Sequence, residues 1–172
     1  MKDVKKIFVV GGGFMGSGIA QTAITAGYEV TLNDLNDAIV EKAKAGIEKM
    51  LQKNVSKGRM TEEAMAAAMA RLMVTADLSA AADADLVIEA AVEKVEIKKS
   101  IFAKLSDICA EDAILASNTS SISIVELASA VRNPNRFIGM HFFSPVALMR
   151  LLEIVRSIAT DVETLAAVKA VG

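Results

Sequence analysis

A short apolar run that ends in three consecutive glycines is the feature that most constrains the fold of this 172-residue chain. Ile7–Val10 has the uninterrupted apolar character of a strand buried on both sides, and Phe14–Ala26 has helical spacing until Gly27 stops it. Tyr28–Leu32 alternates as a second strand. Because two parallel strands need a crossover between them, usually a helix, this order predicts a parallel unit of strand, helix and strand.

The next segment is predicted to be a helical hairpin inserted after the second strand. Apolar residues recur at helical spacing over 37–57, and Gly58 is a typical C-terminal stop. Thr61, followed by two acidic residues, begins a second helix rich in alanine and methionine.

Strands and helices then alternate to the end of the chain. Strands are predicted at 72–75, 86–88, 113–116, 138–142 and 151–155, the last at a sheet edge. Helices are predicted at 95–108, at 122–130 and after a capping box formed by Thr160 and Glu163. This alternation predicts an α/β domain of Rossmann type, with a doubly wound, mostly parallel sheet over residues 1–172.

Composition narrows the partners to small molecules. With 19 basic and 21 acidic residues, the chain has no basic excess to bind nucleic acid. No apolar stretch is long enough for a signal-peptide core or a membrane span, so we expect a cytoplasmic location and no membrane partner. Cys109, the only cysteine, is predicted to be a core thiol, and no metal site is predicted.

The glycines fit a dinucleotide-binding fingerprint at Gly11, Gly13 and Gly16. The first glycine permits a tight turn, the second lets the backbone approach a pyrophosphate, and the third lets helix and strand pack closely. The pyrophosphate would lie on the N-terminus of the following helix, so the cofactor site includes the intervening residues Gly12, Phe14 and Met15. The alternative is a tight turn with no ligand, which is the usual meaning of a lone match.

Asp34 is the acid expected at the end of the second strand, about 20 residues beyond the glycines, where it would bond the adenosine ribose. A carboxylate with no adjacent arginine would repel a 2′-phosphate. The predicted cofactor is therefore NAD.

His141, the only histidine, follows an apolar strand and precedes Glu153. Oxidation of a hydroxyl by hydride transfer needs a base for the hydroxyl proton, and histidine is the side chain whose ordinary pKa lies closest to neutrality. A carboxylate on the other ring nitrogen would fix the tautomer, the role expected of Glu153. The alternative is a lone histidine at a strand end, bonded to the backbone.

Four segments of the chain resemble the 3-hydroxyacyl-CoA dehydrogenase family, in the same order as in that family. They are Gly11–Ala20, Asp85–Glu93, Ala116–Ser121 and Gly139–Glu153, which includes the run from His141 to Pro145. The resemblance covers essentially the whole chain and is greatest to short-chain 3-hydroxybutyryl-CoA dehydrogenases.

The resemblance implies a reaction and roles for several residues. His141 would be the base that oxidises an (S)-3-hydroxyacyl-CoA to its 3-oxo form with NAD, or the acid in the reverse direction, oriented by Glu153. Ser120 would bond the substrate oxygen close to the nicotinamide. By residues alone, Ser117–Ser121 could instead be only a helix-capping loop.

Further positions follow from the same resemblance. Glu93 and Lys98 match positions that contact NAD, and Lys57 matches a position that binds the CoA moiety. All three could instead be ordinary surface charges. Ser144 stands where the family commonly has asparagine, and its cofactor role would then need a shorter hydroxyl or a bridging water. Met50 stands where a hydroxyl can help to hold CoA.

The family also continues beyond Gly172, into a helical domain that covers the active site and forms a dimer. Without that cover we expect NAD binding with little turnover, and self-association through exposed apolar surface. Two other functions compete with the dehydrogenase. One is a noncatalytic NAD-binding protein that has kept the fold. The other is a related two-domain dehydrogenase for a sugar acid or a polyol.

Overall fold

The computed structural model describes residues 3–172, which form one seven-stranded sheet between two layers of helices. The strands are β1 (Lys6–Val10), β2 (Glu29–Asn33), β3 (Leu72–Thr75), β4 (Leu86–Glu89), β5 (Ile114–Ser117), β6 (Phe137–Phe142) and β7 (Leu152–Arg156). The α-helices are α1 (Phe14–Ala26), α2 (Asp37–Ser56), α3 (Glu62–Met69), α4 (Val95–Ile108), α5 (Ile124–Ala128) and α6 (Val162–Val171). Short 3₁₀ helices, which sequence reasoning missed, occupy Leu78–Asp83 and Pro134–Arg136.

The strand order is β3-β2-β1-β4-β5-β6-β7, and every neighbouring pair is parallel except β6 and β7. This confirms the doubly wound, mostly parallel sheet. The hairpin of α2 and α3 lies between β2 and β3, also as expected. The order reverses between β1 and β4, and sheets of this kind bind ligands at the carboxyl ends of the strands at that point.

Alternating side chains of β1 enter two separate cores, which explains why the strand is apolar throughout. Ile7 and Val9 belong to a cluster with buried residues of α1, α2, α3 and α6. Phe8 and Val10 belong to the cluster on the other side, with residues of α4 and α5. Since successive side chains of a strand point to opposite faces, only a continuous apolar run satisfies both layers.

The edge strand β7 positions a residue pair for the site described below. It runs antiparallel to β6, in a register that places His141 directly opposite Glu153. Directly opposite residues on neighbouring strands have their side chains on the same side of the sheet. His141 and Glu153, 12 residues apart in the sequence, are therefore lateral neighbours in the sheet.

Local capping corrects one expectation at the C-terminal helix. The expected capping box of Thr160 and Glu163 is wrong, because Asp161 is the N-cap and its carboxylate accepts a hydrogen bond from the Thr164 amide at 2.7 Å. Thr160 is buried instead, and its hydroxyl donates to the Phe137 carbonyl at 2.8 Å. A buried hydroxyl needs a partner, and the end of the neighbouring strand supplies one.

Two further expectations concern α5 and the membrane. The predicted helix at 122–130 is shorter in the structure, Ile124–Ala128. Among the helices in residues 3–172, none combines the length and the apolar character needed to cross a bilayer.

Candidate active site

Two cavities flank the glycine turn at the carboxyl ends of the strands. The first, here called the histidine cavity, has a volume of about 390 Å³ and is lined by residues that include Met15, Lys98, Asn118, Ser120 and His141. The second, here called the helical groove, has a volume of about 760 Å³ and lies along α1 and α2, with Gly13, Phe14 and Asp34 in its wall. The turn between β1 and α1 therefore lies where a long ligand could enter both.

The three glycines of the fingerprint differ in what surrounds them, as the sequence predicts. Gly11 has a φ of +109°, a backbone region that favours glycine. A Cβ on Gly16 would lie 1.7 Å from the Gly11 carbonyl oxygen, so the helix can approach the turn only without a side chain there. A Cβ on Gly13 would meet nothing within 4 Å, which leaves open space at the second glycine.

Gly13 is also the N-cap of α1, and it has no side chain with which to bond the first-turn amides. No acidic residue lies in that turn either. Unpaired amides at the positive end of a helix dipole are a binding site for an anion. The turn thus fits a pyrophosphate, with the space for it at Gly13.

Asp34 follows β2 and is bonded to the glycine turn. Its Oδ2 atom accepts a hydrogen bond from the Gly12 amide at 2.6 Å, and its Oδ1 atom accepts one from the Leu35 amide at 2.6 Å. A carboxylate oxygen has two lone pairs, so both atoms retain capacity to accept from a ribose hydroxyl. The structure therefore places Asp34 beside the turn, as expected for a dinucleotide site.

His141 and Glu153 form a hydrogen-bonded pair at the other cavity. The His141 Nδ1 atom lies 2.8 Å from the Glu153 Oε2 atom, and the imidazole packs at 4.5 Å from the Phe143 ring. The side chain of His141 is 21% exposed and that of Glu153 is 54% exposed. Engagement of Nδ1 leaves Nε2 as the nitrogen available to a substrate, which is the arrangement of an oriented general base.

Asn118 is a residue of this cavity that sequence reasoning did not single out. It follows β5, and its Oδ1 atom accepts a hydrogen bond from the Phe142 amide at 2.9 Å. This bond ties the end of β5 to the residue after His141. An asparagine at the carboxyl end of a buried parallel strand was the available signal.

A buried charged pair lies behind the histidine cavity. Glu89, the last residue of β4, is fully buried, and its Oε1 atom lies 2.6 Å from the Lys98 Nζ atom of α4, which is 1% exposed. The alternative that Lys98 is a surface charge is therefore wrong. Glu89 was missed, although a glutamate that ends the apolar strand Leu86–Glu89 was a usable signal.

Glu93 joins this pair to the serine-rich loop after β5. One of its oxygens lies 3.2 Å from Lys98 Nζ, and the other accepts from the Thr119 hydroxyl and from the Ser120 amide, the latter at 3.2 Å. Partial burial opposes ionisation, but the bond from Thr119 and the charge of Lys98 outweigh it and lower the pKa of Glu93 below its ordinary value. Glu93 is therefore a carboxylate at neutral pH.

The remaining candidates fall into two groups. Ser120 and Ser144 both line the histidine cavity, and among residues 3–172 the Ser120 hydroxyl has no hydrogen-bond partner. Lys57 lies apart from both cavities, at the C-cap of α2, and its role in binding CoA stays a prediction. The alternative that Ser117–Ser121 only caps a helix is wrong, since the N-cap of α5 is Ser123.

Among the described residues, no group of three or more His, Cys, Asp or Glu side chains is arranged to hold a metal ion. The residues present do fit NAD. Gly13 leaves open space at an uncapped helix N-terminus, Asp34 lies at the end of β2, and a second cavity with an oriented histidine lies on the other side of the turn.

Known proteins are similar to this chain in sequence and in fold. A 3-hydroxybutyryl-CoA dehydrogenase of Bradyrhizobium diazoefficiens is 48% identical over 166 residues, which are 96% of this chain and 57% of that protein. The peroxisomal fatty acid beta-oxidation multifunctional protein MFP2 of Arabidopsis thaliana is 38% identical over 99% of this chain and 24% of its own length. The chain therefore spans a little over half the length of the first relative and about a quarter of the length of the second.

The crystal structure of (S)-3-hydroxybutyryl-CoA dehydrogenase from Ralstonia eutropha superposes with a TM-score of 0.96 at 40% identity, over 98% of this chain and 59% of that one. Residues 6–172 match the family described as 3-hydroxyacyl-CoA dehydrogenase, NAD binding domain. The resemblance inferred from four sequence segments is confirmed, as is NAD as the cofactor. This chain belongs to the 3-hydroxyacyl-CoA dehydrogenase family, as its NAD-binding domain.

Proposed function

We propose that this chain is the cofactor-binding and proton-handling domain of an NAD-dependent oxidoreductase that interconverts (S)-3-hydroxyacyl-CoA and 3-oxoacyl-CoA. The observation that carries the proposal is the pairing of His141 with Glu153 beside a cavity that the glycine turn adjoins. The names of the relatives favour 3-hydroxybutyryl-CoA as the substrate and fatty-acid or butanoate metabolism as the setting.

The chain's own residues would divide the binding of the cofactor between the two sides of the turn. The amides at the start of α1 would hold the pyrophosphate, and Asp34 would accept from the adenosine ribose. Ser120, Ser144 and the carboxylate of Glu93 would contact the nicotinamide half in the histidine cavity. NAD supplies the chemistry that these residues lack, since it accepts a hydride from carbon.

His141 handles the proton of the reaction. During oxidation, the hydride leaves C3 of the substrate, and Nε2 of His141 takes the proton of the 3-hydroxyl as the C=O bond forms. Glu153 stabilises the imidazolium that results, because its Oε2 atom already bonds Nδ1. In the reverse direction the imidazolium returns the proton to the oxygen. The Ser120 hydroxyl is free to donate a hydrogen bond to that same oxygen.

The proposal is tested by titrating the chain with NADH, alone and with acetoacetyl-CoA, while the nicotinamide absorbance is followed. We expect NADH to bind and to be oxidised slowly. Replacement of His141→Ala should lower the rate by about 10²–10⁴-fold, the usual contribution of a general acid or base, and should leave NADH binding intact. Lys99→Met, on the exposed side of α4, is the matched control and should keep the wild-type rate.

Each other outcome points elsewhere. Binding without any turnover would identify a cofactor-binding domain that needs a further domain for catalysis. The same assay on a longer protein that carries residues 1–172 would separate this from the noncatalytic NAD-binding protein. Oxidation of a sugar acid or polyol in place of the acyl-CoA would favour the other class of two-domain dehydrogenase. An absence of NADH binding would overturn the proposal at its first step.

A cytoplasmic location and dimer formation through a helical C-terminal domain belong to this proposal as well. The location is the expectation drawn from the sequence, and the greater length of the relatives supports a further domain. Size-exclusion chromatography of a longer protein that carries residues 1–172 would check the dimer.

A further inference from the structure

Five residues form a closed ring of polar contacts behind the histidine cavity. Glu89 Oε1 bonds Lys98 Nζ at 2.6 Å, and Lys98 Nζ lies 3.2 Å from Glu93 Oε2. Glu93 Oε1 accepts from the Thr119 hydroxyl, the Thr119 amide donates to Ser117 Oγ at 3.3 Å, and Ser117 Oγ donates to Glu89 Oε2 at 2.7 Å. The ring therefore links β4, the start of α4 and the loop after β5.

Glu89 is the fully buried end of this ring. Its carboxylate also accepts from the Ala91 amide at 2.7 Å, so both oxygens are bonded and the loop after β4 is fixed at its second residue. A buried carboxylate is costly unless it is paired and fully bonded. Glu89 satisfies both conditions with partners from three different segments, which constrains all three at once.

Glu93 is the end of the ring that faces the cavity. Its side chain is 41% exposed, whereas Glu89 and Lys98 are buried. Lys98 lies between the two carboxylates, so the position of Glu93 depends on where Glu89 holds the ammonium group. Ser120 depends on it in turn, because its amide donates to Glu93 at 3.2 Å.

We propose that Glu89 is a positioning residue for the nicotinamide half of the cofactor. Through Lys98 and Ser117 it sets the orientation of Glu93 and Ser120, the groups at the cavity, without touching the cofactor itself. This inference rests on the proposed function. The adenosine half is held by residues outside the ring, since the Gly12 amide bonds Asp34 and the Gly11 amide bonds the Asn33 carbonyl at 2.7 Å.

This difference gives the experiment that separates positioning from mere stability. NADH and ADP-ribose share the adenosine and pyrophosphate, and only NADH carries the nicotinamide. The dissociation constants of both are measured by titration for the wild-type chain, Glu89→Gln, Lys98→Met and the double variant. Circular dichroism confirms that each variant is folded.

In Glu89→Gln we expect the NADH dissociation constant to rise about tenfold or more, as when a hydrogen bond to a charged group is lost, with ADP-ribose affinity within about twofold of the wild type. Lys98→Met should do the same. The amide of Glu89→Gln can still accept from the Ser117 hydroxyl, so the loss should arise through Lys98, and the double variant should be no weaker than Lys98→Met alone. The matched control is the partly exposed pair of Lys99 on α4 and Glu126 on α5, which are 3.5 Å apart. Lys99→Met/Glu126→Gln should bind both ligands as the wild type does.

Three results would overturn the inference. The first is unchanged NADH affinity in folded Glu89→Gln. The second is an equal loss of NADH and ADP-ribose, which is the mark of a general structural role. The third is a double variant whose loss is the product of the single losses, since the two residues would then act separately.

Two further outcomes are also decisive. If the single variants do not fold, the test uses only the double variant, which has the net charge of the wild type. Wild-type NADH affinity in the double variant then overturns the inference. If the wild type binds neither ligand, the proposed function itself fails. Binding by the wild type with no effect of Glu89→Gln sinks only the role of Glu89.

Discussion

Two short contacts to a carboxylate beside the histidine cavity have similar lengths and contrasting surroundings. Glu89 and Lys98, the buried pair, are 2.6 Å apart and 0–1% exposed. His141 and Glu153, the strand pair, are 2.8 Å apart and 21% and 54% exposed. The distance alone therefore does not describe such a contact. The buried pair is held by a closed ring, whereas the strand pair is held by the register of β6 and β7.

Burial changes what each pair contributes. A buried pair gains from its attraction only what remains after desolvation, so its main effect is to make the loss of one partner costly. An exposed pair contributes little to stability, and water reaches it. The proton transfer proposed for His141 requires contact with a substrate, so partial exposure suits this side chain. A fixed location suits Lys98, because the position of Glu93 depends on its ammonium group.

The largest expected effect on stability comes from breaking the buried pair on one side. Lys98→Met leaves the Glu89 carboxylate without its cation, and we expect the free energy of unfolding to fall by about 3–5 kcal/mol. Urea unfolding measures this change. Lys99→Met, the next residue of α4, should lower it by less than about 0.5 kcal/mol. A loss of under about 1 kcal/mol for Lys98→Met would contradict the contrast between the pairs.

Removal of both charges should restore much of that loss. Glu89→Gln/Lys98→Met leaves no fully buried charge, since the remaining carboxylate, Glu93, is 41% exposed. The amide can still accept from the Ser117 hydroxyl. We expect an unfolding free energy within about 1–2 kcal/mol of the wild type. If the double variant is as unstable as Lys98→Met in urea, packing of the lysine stem, and not the charge, dominates at this position.

The strand pair should respond much less to the loss of one partner. Glu153→Gln removes the charge at a half-exposed position, and we expect the unfolding free energy to change by less than about 1 kcal/mol. Thermal unfolding monitored by circular dichroism is sufficient to check this. A larger loss would mean that β7 depends on the pair for its attachment to β6, and the two pairs would then differ less than their exposures indicate.

The smallest effect concerns pH. The pKa of Glu93 in the folded chain lies below its ordinary value of 4.5, so its carboxylate stabilises the fold above that value and the contribution is lost as the pH falls through the lowered pKa. Glu93→Gln should therefore lose less melting temperature than the wild type between about pH 5 and about pH 3. If the melting temperatures of the two proteins fall equally over this pH range, the ionisation of Glu93 does not contribute to the stability of the fold.

Sequence patterns predicted most of the fold because most of its strands, helices and turns are determined by residues close together in the sequence. The apolar run before Gly11 fits only a strand with a core on each side, and the glycine spacing fits only a tight turn that packs on a helix. The ring around Glu89 was not accessible in this way. Its partner Ser117 is 28 residues away, and it becomes a neighbour only through the pairing of β4 with β5.

The site shows the same division. Asp34 and His141 were predicted because their residue types and their places at strand ends indicate their chemistry. Asn118 was missed, because its contact with the Phe142 amide depends on the neighbouring strand. Thr160 was misassigned, because a capping pattern does not reveal that the hydroxyl is buried against Phe137.

The register of β6 and β7 has a consequence for how such a domain can diverge. His141 meets Glu153 because the strands align them, so the length and composition of residues 147–151, the second half of the loop over 143–151, are not needed for that contact. Insertions or exchanges there would leave the proton-handling pair assembled, whereas a slip of β7 by a single residue would turn Glu153 to the opposite side of the sheet. This segment could therefore vary between related domains while the pair of His141 and Glu153 is retained.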